Sequence, residues 1–439
     1  MRHDARMTQT RERAATPVTP IPVDQAVAGG RRRFRTLDSF SIVSFRWFFT
    51  SMFAGFAAMG VQMFVGGWLT FELTGSFAAL GVLHLSAGIT GLLTALPGGV
   101  LADKVKHRKR FIQTGQAGGA IASLAMALLV ASGDVQFWQI AVGSSLIAGS
   151  HTLTMPARQA LTPSVVGMKH LTNAMALYTT GQNGAFLLMP ALAGWMIGAL
   201  GPAGSIEGTQ YVYYMMAAFY VGALLLLLPV EIGPRTATGP SRAIGQLAEG
   251  LRYVWRDEVM RPLLIYNGAV ALFWMTYMTL LPGYAKEILD AGAGALGVML
   301  SMGGLGAVGG SLIVASIPGG QRGRVWMLSV ALIGVAMLVF AFNELYWVAL
   351  VCAVAIGMGQ AGYLSLGSVL LQAYVDEDFR GRVLSVYMMQ YGLMSLGTLL
   401  VSLIANAIGP QIAVGLAAVA LLLITAAQFI ARTPISRLR

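Results

Sequence analysis

Five amide side chains lie within long apolar stretches of this chain: Gln62, Asn183, Asn267, Gln360 and Gln390. An amide is costly in hydrocarbon unless it is hydrogen-bonded, so each serves either as a bond between helices or as a contact for a polar molecule. Phe186, Trp274, Tyr277, Tyr363 and Tyr387 add ring surfaces in the same stretches, and 24 methionines supply adaptable apolar contact. This mixture suits an adaptable apolar cavity with a few polar contacts. His84 and His151 are the titratable groups in or near mid-membrane positions, with a pKa range suited to proton exchange. The alternative for each is a hydrogen-bonded packing histidine. No Asp or Glu falls in the middle of any apolar stretch.

Bond-making chemistry has no residues to carry it. The chain has no Ser-His-Asp set, no His and acid cluster, no Cys pair and no Gly-rich phosphate loop followed by Lys and Ser or Thr. We therefore expect no catalytic residue, no cofactor, no metal and no ATP drive. Cys352, the single cysteine, lies in an apolar stretch and forms no disulfide framework.

The elements that must position these side chains are membrane spans. With 56% hydrophobic and 11% charged residues in 439, and a mean hydropathy of +0.69, the chain has too little polar surface to cover a water-soluble globule. The net charge of +11 does not point to nucleic acid, because the cations sit in short loops between apolar runs. Twelve runs can be read, near 42–70, 78–100, 111–132, 137–156, 172–199, 210–230, 262–283, 293–317, 325–342, 345–367, 383–408 and 411–431. They predict an all-α membrane protein of twelve transmembrane helices in two pseudo-symmetric six-helix bundles. The division is a disordered tail over 1–40, a first bundle over 41–230, a linker over 231–261, a second bundle over 262–431 and a short tail over 432–439.

Alternate connections differ in charge. One set carries the block from Asp103 to Arg110, Arg158 and Lys169, the run from Arg235 to Arg261, Arg322 and Arg324, Arg380 and Arg382, and the C-terminal arginines. The other carries Glu72, Asp134, Glu207, Glu287, Asp290 and Glu344, with Lys286 as its one cation. Basic loops are retained inside, so both termini are expected in the cytoplasm. Arg31-Arg32-Arg33 can rest on anionic lipid or simply orient the first span. In the linker, Ile244, Leu247, Leu251, Val254 and Trp255 recur at spacings of three and four, which predicts a surface helix. Gly306 and Gly310 form a small-xxx-small pair in the eighth run, suited to close helix contact or to bending.

Gly99-x-Leu101-Ala102-Asp103-Lys104, with Arg108 and Lys109 beyond it, resembles the loop between helices 2 and 3 of the major facilitator superfamily of transporters; Lys106 stands where the family usually has Gly. The resemblance spans nearly all of residues 40–430 and implies the major facilitator fold. By that resemblance Gly99, Asp103, Lys104 and Arg108 would form, with Arg380 and Arg382 at the start of the eleventh segment, a state-dependent latch between the halves. Phe71-Glu72-Leu73-Thr74-Gly75-Ser76, Pro156-Ala157-Arg158-Gln159-Ala160 and Leu281-Pro282-x-Tyr284-Ala285-Lys286-Glu287 look like the bacterial exporter branch that includes enterobactin and multidrug exporters. Gln62 stands where related drug exporters often carry an acid. The resemblance implies a monomer in the bacterial inner membrane, surrounded by lipid. It would export an amphiphilic drug or siderophore against proton entry, by rocking two halves about a cavity. Three alternatives stay open: a lipid or lysolipid flippase of the same fold, an uncoupled uniporter, and a non-transporting receptor.

Overall fold

The structure, a computed structural model, describes residues 38–105, 107–202, 206–230, 243–317, 321–431 and 435. Among them there is no β-strand. The helices are α1 (Val43–Thr74), α2 (Phe77–Lys104), α3 (Arg108–Ala131), α4 (Phe137–Leu200) and α5 (Gly208–Leu226), then α6 (Ala243–Arg256), α7 (Met260–Phe273), α8 (Thr276–Glu287) and α9 (Ala293–Ala315). They are followed by α10 (Arg322–Ala341), α11 (Tyr346–Tyr374), α12 (Arg380–Met388), α13 (Gln390–Ile408) and α14 (Pro410–Ile430).

Local chemistry sets several boundaries. Gly75 ends α1 in the left-handed region, φ 59°, and its N–H bonds Phe71 O at 2.8 Å. Ser76 then caps α2, its Oγ accepting from Ala79 N–H at 3.3 Å. Eleven helical stretches among the described residues are long and apolar enough to cross a bilayer, with α7 and α8 together forming one and α12 and α13 together forming most of another. The twelfth crossing is the first part of α4, where Ser144, Ser150, His151 and Thr152 dilute the hydropathy. The fourth and fifth crossings are thus continuous, broken only at Gly167 with φ 69° and ψ 167°.

That continuity corrects one expectation. The apolar runs leave residues 157–171 as a connection between the fourth and fifth spans; Pro156 and Pro163 instead lie inside α4. A proline removes one hydrogen bond and bends a helix, but packing on neighbouring helices holds the chain helical beyond it. A smaller correction concerns the N-terminal tail. Residues 38–41 form a 3-10 turn, with Ser39 N–H donating to Asn173 Oδ1 at 3.1 Å, while residues 1–37 lie outside the described residues.

α1 to α5 pack as one bundle and α7 to α14 as another. Phe45, Phe48, Phe56 and Phe64 of α1 are buried at the centre of the first. Trp326, Phe340, Tyr266 and Tyr363 fill the second. Leu93, Leu312, Trp347 and Ile430 are largely exposed on the outside, an apolar surface suited to lipid and not to water. The bundles meet along α2 with α13 and along the second part of α4 with α9. Where α4 meets α9, a methyl on Gly297 would run into Pro190 O, a spacing that leaves no room for a side chain. Gly306 and Gly310 serve a similar purpose inside the second bundle, lying against Val354 and Met358 of α11.

The linker helix α6 docks on the second bundle. Glu249 pairs with Arg382 at 3.2 Å, Tyr253 Oη donates to Asp376 Oδ2 at 3.1 Å, and the Tyr253 ring stacks on Phe379 at 4.5 Å. Burial holds the Tyr253 phenol above its ordinary pKa, so it remains a donor at neutral pH. Of the predicted apolar stripe, Val254 is buried while Leu251 and Trp255 are exposed; residues 231–242 and the side chains of Ile244 and Leu247 lie outside what is described.

Candidate transport site

A cavity of about 190 Å³ lies within the first bundle, between α1, α2, α4 and α5. Its wall includes Met59, Gln62, His84, Ser144, His151 and Tyr220. Gln62 Nε2 donates to Ser144 Oγ at 3.0 Å, which ties α1 to α4 across the cavity. Gly66 permits the approach, since a methyl there would lie 3.3 Å from both groups. Gln62 Oε1 and His151 Nε2 are buried without a hydrogen-bond partner among the described residues. The wall therefore offers one amide oxygen and one imidazole nitrogen to an occupant, with thioethers beside them.

The predicted cavity residues of the second bundle have another arrangement. Asn267 Nδ2 donates to Gln390 Oε1 at 3.1 Å. Tyr363 Oη lies 3.1 Å from Asn267 O and 3.4 Å from Gln390 Oε1, and the Tyr387 phenol also bonds the Gln390 side chain. The Trp274 ring lies 5.9 Å from that of Tyr363, which stacks on Trp326 at 6.3 Å. Tyr277 packs edge-on to Phe340. These side chains are almost wholly buried and satisfy one another, which fixes α7, α11 and α13 together. Asn267 Oδ1 and Trp274 Nε1 are the buried atoms of this group left without a partner among the described residues. Asn183 and Phe186 on α4, and Gln360 on α11, are half-buried.

Of the predicted latch side chains, those of Arg108 and Arg382 are described. Arg108 Nε donates to Ala102 O at 3.0 Å and closes the loop back on the end of α2. Arg382 is held by Glu249 and lies over the Phe379 ring at 4.9 Å, so α6 occupies the start of the eleventh crossing. Side chains placed on Gly99 or Gly381 would meet nothing within 4 Å. The side chains of Asp103, Lys104 and Arg380, and all of Lys106, lie outside what is described.

The opposite, acidic end is joined across the bundles. Lys286 of α8 pairs with Glu72 of α1 at 2.5 Å, and Ser76 Oγ bonds Asn406 Oδ1 of α13 at 3.0 Å. Further in, Gly81 lies where a methyl would be 2.6 Å from Ser402 Cβ.

One residue enters the sequence reading as an orientation charge and as part of the exporter-branch motif, with no place in the site. Arg158 is 1% exposed inside α4, and its Nε, Nη1 and Nη2 have no hydrogen-bond partner among the described residues. No local pattern in the sequence marks Arg158 as helical and buried, since Pro156 and Thr162-Pro163-Ser164 flank it.

Two bundles of six crossings, joined in this way, define the class: a transporter of the major facilitator fold. The chain belongs to the family of transmembrane secretion effectors, whose family model matches residues 35–437. It is 25% identical over 364 residues to the multidrug efflux pump Tap of Mycobacterium tuberculosis, covering 80% of this chain and 85% of that protein. It is 22% identical over 366 residues to the staphyloferrin A transporter of Staphylococcus aureus, covering 83% and 90%. These relatives set it in the drug and siderophore exporter branch. Among solved structures it resembles the nucleoside transporter NupG, with a TM-score of 0.72 at 14% identity over 88% of this chain and 98% of that one. A bacterial homologue of the human lysosomal transporter Spinster, in an inward-facing and occupied conformation, matches with a TM-score of 0.68 at 14% identity over 90% and 97%.

Proposed function

We propose that the chain exports an amphiphilic small molecule of the drug or siderophore type across a bacterial plasma membrane by alternating access, with both termini in the cytoplasm. The observation that carries this reading is the asymmetry of the two ends. Glu72–Lys286 and Ser76–Asn406 tie the bundles at the acidic end, while at the basic end a methyl on Gly99 would meet no atom within 4 Å. With the basic end inside, this is an inward-facing state, ready to load from the cytoplasm. The efflux pump Tap supplies the direction, and the drugs and siderophore in the two relatives' names supply the type of cargo. The protein acts as a carrier and not as an enzyme.

Proton coupling is assigned to His84 and His151, which share the cavity wall. A histidine that is neutral with the cavity closed and charged when it meets water can exchange its proton for cargo. The absence of any mid-span carboxylate favours a second reading, an uncoupled uniporter. Proteoliposomes loaded with ethidium and given an imposed pH gradient separate the two. Efflux several-fold faster with the gradient supports antiport; efflux indifferent to it supports uniport.

A further inference from the structure

Arg158 carries a charge that its surroundings do not answer. A guanidinium stays protonated in any protein environment, and a buried cation without a counter-charge is strongly unfavourable. The Cα–Cβ bond of a helical residue tilts toward the helix N-terminus, which for α4 lies at the acidic end, so the side chain points into the membrane and away from the basic interface. Its Nη1 lies where a methyl on Gly55, well inside α1, would be 2.9 Å away. Tyr178, Tyr220 and His151 all stand within its electrostatic reach. Tyr220 and His151 also line the cavity, and Tyr220 Oη and His151 Nε2 are themselves buried without partners among the described residues. The phenol and the imidazole line the cavity, and the Arg158 guanidinium is buried behind its wall, within electrostatic reach of both. The helices that Arg158 faces carry no Asp or Glu over 43–71, 168–200 or 208–226.

We propose that Arg158 binds a carboxylate of the transported molecule at the end of this cavity, with Tyr220 and His151 completing the anion site. The substrate class becomes an amphiphile with a free acid group. The planar fork of Arg matches a carboxylate, and the two further groups can donate to the remaining lone pairs. Gly55 leaves room for the fork. The proposal deepens the export reading and rests on it for the word "transported".

The test uses purified full-length protein in lipid nanodiscs and two dyes, rhodamine B and its methyl ester, which share one ring system and differ in the free carboxylate. Binding is read by fluorescence anisotropy in chloride-free isethionate buffer. The wild-type protein should bind the acid about tenfold more tightly than the ester, the ratio expected for a charge-assisted hydrogen bond. Arg158→Gln should bring the ratio to about one, with Arg158→Lys between them. Equal binding of acid and ester by the wild type, or no binding of the acid, overturns the proposal. Chloride is the other source of negative charge. If chloride raises the melting temperature of the wild type but not of Arg158→Gln, and the acid has no advantage, the site belongs to an inorganic ion and the proposal fails. Without ligand, Arg158→Gln should melt no lower than the wild type, since it removes an unpaired charge. A clear drop in both variants would reveal a structural partner and overturn the assignment. Vesicle efflux of the same dyes separates the two readings: ester efflux with no acid preference keeps export and removes the anion site, whereas acid preference without any efflux keeps the site and removes export.

Discussion

Lys286 Nζ lies 2.5 Å from Glu72 Oε2, and this pair joins α8 of the second bundle to α1 of the first at the acidic end. Glu72 is largely buried while Lys286 is nearly half exposed, so the pair is worth about 0.5–1 kcal/mol. That is enough to bias a two-state equilibrium without locking it.

Glu72→Gln should therefore raise the population open at the acidic end by about two- to fivefold. Cysteine placed at Ser76, labelled by a membrane-impermeant thiol reagent, reports it, because native Cys352 is buried. Unchanged labelling would mean that the pair does not distinguish the states.

Asp103→Asn should slow efflux without reducing the amount of protein inserted in the membrane. In the state described, Arg382 is taken by Glu249 and Gly99 faces open space, so a latch at Asp103 would act only when the basic end closes. Wild-type efflux rates in Asp103→Asn vesicles would remove the latch.

Gly297→Ala pushes a methyl into Pro190 O, a backbone atom that cannot rotate away. A cost of about 1–3 kcal/mol is expected, read as a fall in melting temperature of the purified protein. Gly99→Ala has free space in this state and should change stability by less than about 0.5 kcal/mol. Equal effects of the two substitutions would show that the bundles do not meet at Gly297 as described.

His151→Asn should reduce gradient-driven efflux to the rate seen without a gradient, because His151 carries the cavity's unpartnered imidazole nitrogen. The double variant His84→Asn/His151→Asn should give the same loss and tests both histidines at once. Gradient-driven efflux surviving in it would take proton coupling away from both histidines.

Much of the architecture was legible because hydropathy and charge are local properties. Apolar runs of span length announce helices without any tertiary contact. The fourth apolar run ends at 156, and the helix's continuation past Pro156 depends on packing that no local pattern displays. The same limit hid the environment of Arg158. It also hid which amides meet. Gln390 bonds Asn267 across 123 residues, and Gln62 reaches Ser144 across 82. Composition gives both pairs the same appearance, yet one lies in a packed core and the other on a cavity wall.

The central claim is that the two ends open in alternation, and spin-label distances in nanodiscs test it most directly. One label pair spans the acidic end at Leu73 and Glu287, and a second spans the basic end at Gly99 and Gly381. The account predicts a short acidic-end and a long basic-end distance at rest, with the two changing in opposite directions when cargo and a proton gradient are supplied. Distances that stay fixed while the same preparation transports its cargo would contradict it.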